Sequence, residues 1–278
     1  MRTIHAPLIT ETVARLAVLA NTHADKNIVS AIKKAKGEEK NPLPKSVLDM
    51  ICENMEIAAN ENMPMCQDTG VVVVFVEAGQ EVYVNGNLTD AINEGVRQGY
   101  KNGCLRASVI NDPAERLNTK DNTPAVIHYN IVPGDKLKIT VMPKGFGSEN
   151  KSALKMMVPA QGIEGVEDFV IETVKNAGGD PCPPIVVGVG IGGTMEKCAI
   201  LAKEALLDVF TQNANSYWAN LESKWLKKLN ELPIGAGGFG GSHTALAVKI
   251  LTYPTHIAGL PVAVNIGCHV SRHKEEVL

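Results

Sequence analysis

Ile9, Val13, Leu16, Ala17 and Ala20 recur at helical spacing, which predicts a helix over roughly residues 8–24. A second, over 26–36, would turn Ile28, Ala31, Ile32 and Ala35 inward, and a third runs from Pro44 to about Asn60 on a stripe of Val47, Met50, Ile51, Met55 and Ala58. Proline is tolerated in that first turn because its missing N–H has no helical partner there. The pattern then changes. Val71 to Val76 is the most apolar run in the chain and is bounded by turn residues, so it reads as a buried strand, followed by a turn at Glu77–Gln80 and a short strand over 82–84. Thr89 or Asp90 can cap a helix reaching about Lys101. Pro124 to Ile131 and Lys136 to Met142 alternate and are joined by Pro133-Gly134-Asp135, which predicts a hairpin. Further on come a helix (Gly165 to Ala177), a strand (Ile185 to Val189) and a helix (Met195 to Phe210). A helix with both tryptophans (Ser216 to Leu229) and strands over 244–252 and 260–266 complete the pattern. The fold class expected is α/β (mixed α+β), with two packed subdomains of mixed or antiparallel sheets flanked by helices, meeting between Lys144 and Gly165.

Composition narrows what such a fold can do. With 278 residues, 45% hydrophobic and 21% charged, the chain can bury a sizeable core. A formal net charge of -3 gives no electrostatic case for nucleic acid. No apolar run approaches the roughly 20 residues that cross a bilayer, and the N-terminus lacks the apolar core of a signal peptide. The expected location is cytoplasmic.

The candidate chemistry lies in the cysteines. Of six, Cys66, Cys182 and Cys268 sit on loops at the edges of predicted strands: Met63-Pro64-Met65-Cys66-Gln67-Asp68-Thr69-Gly70, Gly179-Asp180-Pro181-Cys182-Pro183-Pro184 and Asn265-Ile266-Gly267-Cys268-His269. Cys52 and Cys198 fall on helices among apolar neighbours and read as small core residues, as does Cys104, two residues from Arg106. Zinc sites use close pairs such as C-x-x-C, and none is present. Electron-transfer clusters use four thiolates, several closely spaced. Three isolated loop cysteines suit a cubane held by three ligands, whose fourth iron is open to water and substrate oxygens as a Lewis acid.

Two glycine-bearing stretches complete the inventory. Lys144-Gly145-Phe146-Gly147-Ser148-Glu149-Asn150-Lys151-Ser152 reads either as a loop offering N–H groups to an anion or as a surface connection. Gly188-Val189-Gly190-Ile191-Gly192-Gly193 matches a dinucleotide fingerprint between a strand and a helix. However, the acidic residue expected about 20 positions on, at the end of a second strand, is replaced by Asp208 in a helix. The glycines also lie only a few residues beyond Cys182, where they would let a backbone approach a bulky cofactor held by that thiol, so nucleotide binding stands as the disfavoured rival from another class.

The motifs around Cys66, Asn111-Asp112-Pro113, residues 144–151, Pro181-Cys182-Pro183-Pro184, residues 188–193, His256 and Cys268 together resemble the alpha subunit of the class I iron–sulfur hydro-lyases. These are the class I fumarases, enzymes of the tricarboxylic acid cycle, and the similar L(+)-tartrate dehydratases. The resemblance covers nearly the whole chain as one domain, 1–278. It implies a [4Fe-4S] cluster on Cys66, Cys182 and Cys268, with Gln67 and Asp68 beside the open iron and Asp68 in proton transfer. It further implies Arg106 as a carboxylate clamp, Gly147 as a backbone donor to substrate, and His256 close to cluster and substrate. The reaction implied is reversible hydration of fumarate to malate, with tartrate dehydration as the alternative. The sequence ends ten residues after Cys268, so the resemblance also implies a separate beta subunit, in a homo- or hetero-oligomer, that completes the site. Phe146 stands where the family often has glycine.

Overall fold

The structure, a computed structural model, describes residues 1–278. The chain divides into two compact units, one built from Met1–Asp25, Met55–Phe146 and Arg272–Leu278, the other from Lys26–Asn54 and Gly147–Ser271.

In the first unit, strand β1 (Arg2–His5) leads into helix α1 (Ala6–Thr22). The last turns of α3 (Pro42–Glu61) lead through the Cys66 loop to β2 (Val71–Gly79), β3 (Val82–Asn85) and α4 (Leu88–Asn102). β4 (Val126–Val132), β5 (Leu137–Lys144) and β10 (Lys274–Val277) finish a sheet of order β10-β5-β2-β4, while β1 pairs in parallel with β3. The expected hairpin over 124–142 does not form. β2 lies between β4 and β5, parallel to the first and antiparallel to the second. The turn after β2 closes the end of that gap, where Gly79, Gln80 and Glu81 donate backbone bonds of 2.9 Å to Lys136, Val132 and Gly134. The most apolar strand thus takes a central position, which buries more apolar area than a local hairpin would. Its Val72, Val74 and Val76 share one core with Ile9, Val13 and Leu16 of α1, Ile92 and Val96 of α4, and Leu137, Ile139 and Val141 of β5.

The second unit takes α2 (Lys26–Glu38) and most of α3, and a sheet of order β6-β9-β7-β8. Its strands are β6 (Ala153–Met157), β7 (Ile185–Gly192), β8 (Ala245–Tyr253) and β9 (Leu260–Gly267). Around them stand the single turn α5 (Phe146–Glu149), α6 (Gly162–Ala177), α7 (Met195–Glu204) and α8 (Ser216–Asn230). β7 runs parallel to β8 and antiparallel to β9. α7 is shorter than the expected 195–210 helix, and Met50, placed on the inner stripe of α3, is exposed while Leu48 is buried.

The fingerprint glycines have a packing role. Gly188 and Gly190 lie inside β7, where a side chain at either position would come within 2.1 Å of the Ala202 carbonyl oxygen or 2.0 Å of the Cys198 carbonyl oxygen on α7. They allow the helix to lie directly on the strand.

On the other side of this sheet, fully buried Trp225 donates from Nε1 to Glu167 Oε2 at 2.9 Å, and Lys224 Nζ reaches the same oxygen at 2.8 Å. Lys228 pairs with Oε1. Burial alone would raise the Glu167 carboxyl, but bonds from Lys224, Lys228 and Trp225 outweigh it and hold the group below 4.5. A carboxyl depressed by folding stabilises above its unfolded pKa and loses that contribution as pH falls through its folded pKa. Trp225→Phe, which leaves Glu167 short of a donor, should cost about 1–3 kcal/mol in urea unfolding at neutral pH. That deficit should shrink as pH falls through the depressed folded-state pKa of the carboxyl and it protonates in both proteins.

Candidate functional site

The Cys66 loop in the first unit is tightly fixed. Met65 N donates to Asn21 O at 2.9 Å, and buried Thr69 donates from Oγ1 to Arg106 O at 2.8 Å. Tyr100 Oη donates to Thr69 O at 2.5 Å, and Asn122 Nδ2 donates to Gly70 O at 3.0 Å. Burial pushes the Tyr100 phenol up, so it remains a donor throughout the working range. Gly70 has φ +80°, and a side chain there would meet the Lys144 backbone at 2.7 Å, which is why glycine closes the loop.

These anchors aim the Asp68 carboxylate. Oδ1 accepts from Gly70 N at 2.9 Å and Oδ2 from Phe146 N at 2.8 Å, while buried Arg272 donates to the Asp68 carbonyl. Cys66 is half-buried, and Gln67 and Arg106 are exposed, with Arg106 tied to the loop through its own carbonyl. Cys66, Gln67, Asp68 and Arg106 therefore belong to one assembly. The departure at Phe146 is accommodated because only its backbone N–H makes this contact and its ring points outward. The segment it opens is a helical turn, so one N–H expected to face an anion is already engaged by Asp68.

The second unit brings the other two thiol loops together. Cys182 precedes β7 with a left-handed φ of +54°, and Cys268 follows β9. Because β7 and β9 are antiparallel, both fall at the same end of the sheet, where Val186 faces Gly267. His269 seals the junction, with Nδ1 2.8 Å from Cys182 O. The 147–152 segment braces both loops. Lys151 Nζ pairs with Asp180 Oδ2 at 2.5 Å, and Ile266 N donates to Ser152 Oγ at 3.0 Å. Glu149 accepts from Asn265 Nδ2 at 3.1 Å and pairs with Lys203. Gly147 lies beside this brace, the nearest contact for a side chain there being Asp180 O at 3.7 Å.

His256 is not part of this gathering. It lies between the end of β8 and the start of β9, and the register places that loop at the far end of the sheet. About six residues of strand, roughly 20 Å, separate it from Cys182 and Cys268. Its Nδ1 accepts a local bond from Ala258 N at 3.2 Å. Sequence reading missed His269 and Arg272, although their positions one and four residues after Cys268 were a usable signal.

Of the other thiols, Cys52 and Cys198 are buried as expected, and burial pushes the Cys198 thiol up. Cys104 is exposed at φ +50°, because Gly103 ends α4 there and turns the chain outward. None of the six forms a disulfide. The structure holds no group of three or more His, Cys, Asp or Glu side chains at metal-binding spacing. The chemistry of the donors suits an iron–sulfur group: soft sulfurs on loops, two of those loops bonded to each other through His269.

Residues 10–277 match the sequence model of a family described as "Fumarate hydratase (Fumerase)". The chain belongs to this family. It is accordingly a hydro-lyase chain. A protein of Methanocaldococcus jannaschii named for the alpha subunit of L(+)-tartrate dehydratase is 40% identical over 272 residues, 95% of each chain. The L(+)-tartrate dehydratase subunit alpha of Escherichia coli K12 is 30% identical over 269 residues, covering 95% of this chain and 88% of its own. Membership sets aside the nucleotide-binding rival and agrees with the mixed α/β architecture. No helix is long and apolar enough to cross a membrane.

Proposed function

We propose that this chain is the alpha subunit of a two-subunit iron–sulfur hydro-lyase that acts on a four-carbon dicarboxylate, with fumarate and malate as the substrate pair. Family membership supports the reaction class. The observation that carries the assignment to this site is the joining of the Cys182 and Cys268 loops through His269, on donors suited to a cluster. Cys66, Cys182 and Cys268 would hold a [4Fe-4S] group, which when bound supplies a Lewis acid at the iron without a protein ligand. The chain's own residues do the rest. Asp68, its two oxygens each fixed by a backbone N–H, exchanges the proton of the substrate hydroxyl. Arg106 presents an exposed planar fork suited to a carboxylate, and its main chain is fixed to the same loop. Gln67 adds an exposed amide beside Asp68. A beta subunit completes the pocket.

A second reading, dehydration of L(+)-tartrate, is favoured by the names of the relatives at 40% and 30% identity. Both substrates are 2-hydroxy dicarboxylates or their alkene, so the same residues serve either. The anaerobically reconstituted pair of subunits, assayed on fumarate, malate and L(+)-tartrate, decides between them. The first reading predicts the highest kcat/KM on fumarate and malate, whereas a preference for tartrate overturns it in favour of the second. No turnover of any of the three overturns both.

A further inference from the structure

Arg272 is the one buried arginine in the core, 4% exposed, and no carboxylate pairs with it. Its single protein partner is the Asp68 carbonyl, to which Nη2 donates, and its Nε is buried without a partner. An arginine cannot shed its charge as a buried lysine can. An uncompensated guanidinium in such a place destabilises the protein that contains it, unless an anion is brought to it. The buried carboxylates of this fold are each met by donors. Glu39 accepts from Ser242 and Asn41, Glu167 from two lysines and Trp225, and Glu222 from Asn213 Nδ2 and Ile250 N.

The location of Arg272 identifies the missing anion. It bonds the residue two beyond Cys66 and lies four residues after Cys268 in the chain. We propose that Arg272 is the resident counter-charge for the iron–sulfur group, which three thiolates render anionic. The inference rests on the function proposed above. Arg272 then has two consequences of opposite sign. It weakens the chain before the cluster is loaded and strengthens retention of the cluster afterwards. It also raises the reduction potential, since a nearby positive charge favours the more negative, reduced state.

The test compares wild type with Arg272→Met, which keeps length and apolar stem, and Arg272→Lys, which keeps the charge. In the cluster-free chain, Arg272→Met should melt at or above the wild-type temperature. An arginine with a purely structural role predicts a clear fall, and that fall would overturn the proposal. In the reconstituted protein, Arg272→Met should lose iron to a chelator about tenfold faster or more and show a more negative reduction potential, with Arg272→Lys close to wild type in both. Unchanged potential and iron retention in Arg272→Met would also overturn it. If wild type takes up no cluster, the functional reading is what fails, and the cluster-free melting comparison still reports on Arg272.

Discussion

Cys182→Ala should reduce turnover of the reconstituted two-subunit protein by about 10³-fold or more and leave it without the brown colour of the cluster. The size follows from the several kcal/mol that a Lewis acid contributes to a transition state developing negative charge, each 1.36 kcal/mol being a factor of ten. The change should be local. Cys182 is exposed on a turn held by its own N–H bond to Gly179 O and by the Gly237 N–H bond of 2.7 Å to Pro183 O, neither of which uses its sulfur, and the sulfur's contact with Asp180 O is long, at 4.0 Å. The variant should therefore unfold in urea at nearly the wild-type midpoint. Cys198→Ala is the control. That thiol lies on α7, is fully buried and bonds only the Met195 carbonyl, so its loss should cost stability while colour and activity persist. Equal loss of iron in both variants would contradict the assignment.

Asp68→Asn is the second large effect. A positioned proton-transfer group contributes roughly 10²–10⁴-fold, so kcat should fall by that range with iron content unchanged. The geometry makes the substitution informative. Both carboxylate oxygens accept backbone N–H groups, from Gly70 and Phe146. An asparagine places an NH₂ against one of those donors, so the variant loses one anchor along with the charge. Asp68→Ala removes both and should not be more active than Asp68→Asn. Retained kcat in either variant would remove Asp68 from the proton-transfer role.

The parts of this architecture visible in the sequence were those fixed by local periodicity. α1, α2, α4, α6 and α8 and the strands β2, β7, β8 and β9 lie within a few residues of their expected bounds, because a single apolar face or run determines each. The hairpin at 124–142 failed for a non-local reason. Two alternating runs and a Pro-Gly-Asp turn satisfy hairpin chemistry, but Val71–Gly79 displaces the direct pairing by inserting between them. β10 was invisible because Lys274-Glu275-Glu276-Val277 has the composition of a solvated tail and becomes a strand only by pairing with β5. The two-unit division exchanges residues 26–54 and 272–278 between units, and no glycine- or proline-rich linker marks those crossings.

The site divides along the same line. Each thiol loop was recognisable from a cysteine among turn residues at a strand edge, whereas the backbone N–H groups of Gly70 and Phe146 that fix the Asp68 carboxylate come into view only in the fold. His256 lies at the opposite end of its sheet from Cys182 and Cys268, because strand direction, which a sequence does not state, decides which end of a sheet a loop occupies. Gly188 and Gly190 illustrate the converse error. Their spacing mimics a phosphate-binding turn, while the space they leave is filled by the α7 backbone.

The central claim, that sulfurs distant in sequence hold a cluster with one iron accessible to substrate, is tested most directly by electron paramagnetic resonance. The reconstituted subunit pair is reduced by one electron and titrated with fumarate, malate and L(+)-tartrate. A spectrum that changes saturably with at least one of these dicarboxylates, and no signal from Cys66→Ala, Cys182→Ala or Cys268→Ala, is the result predicted. A cluster signal indifferent to all three dicarboxylates, or one that survives loss of any of these thiols, would contradict the account.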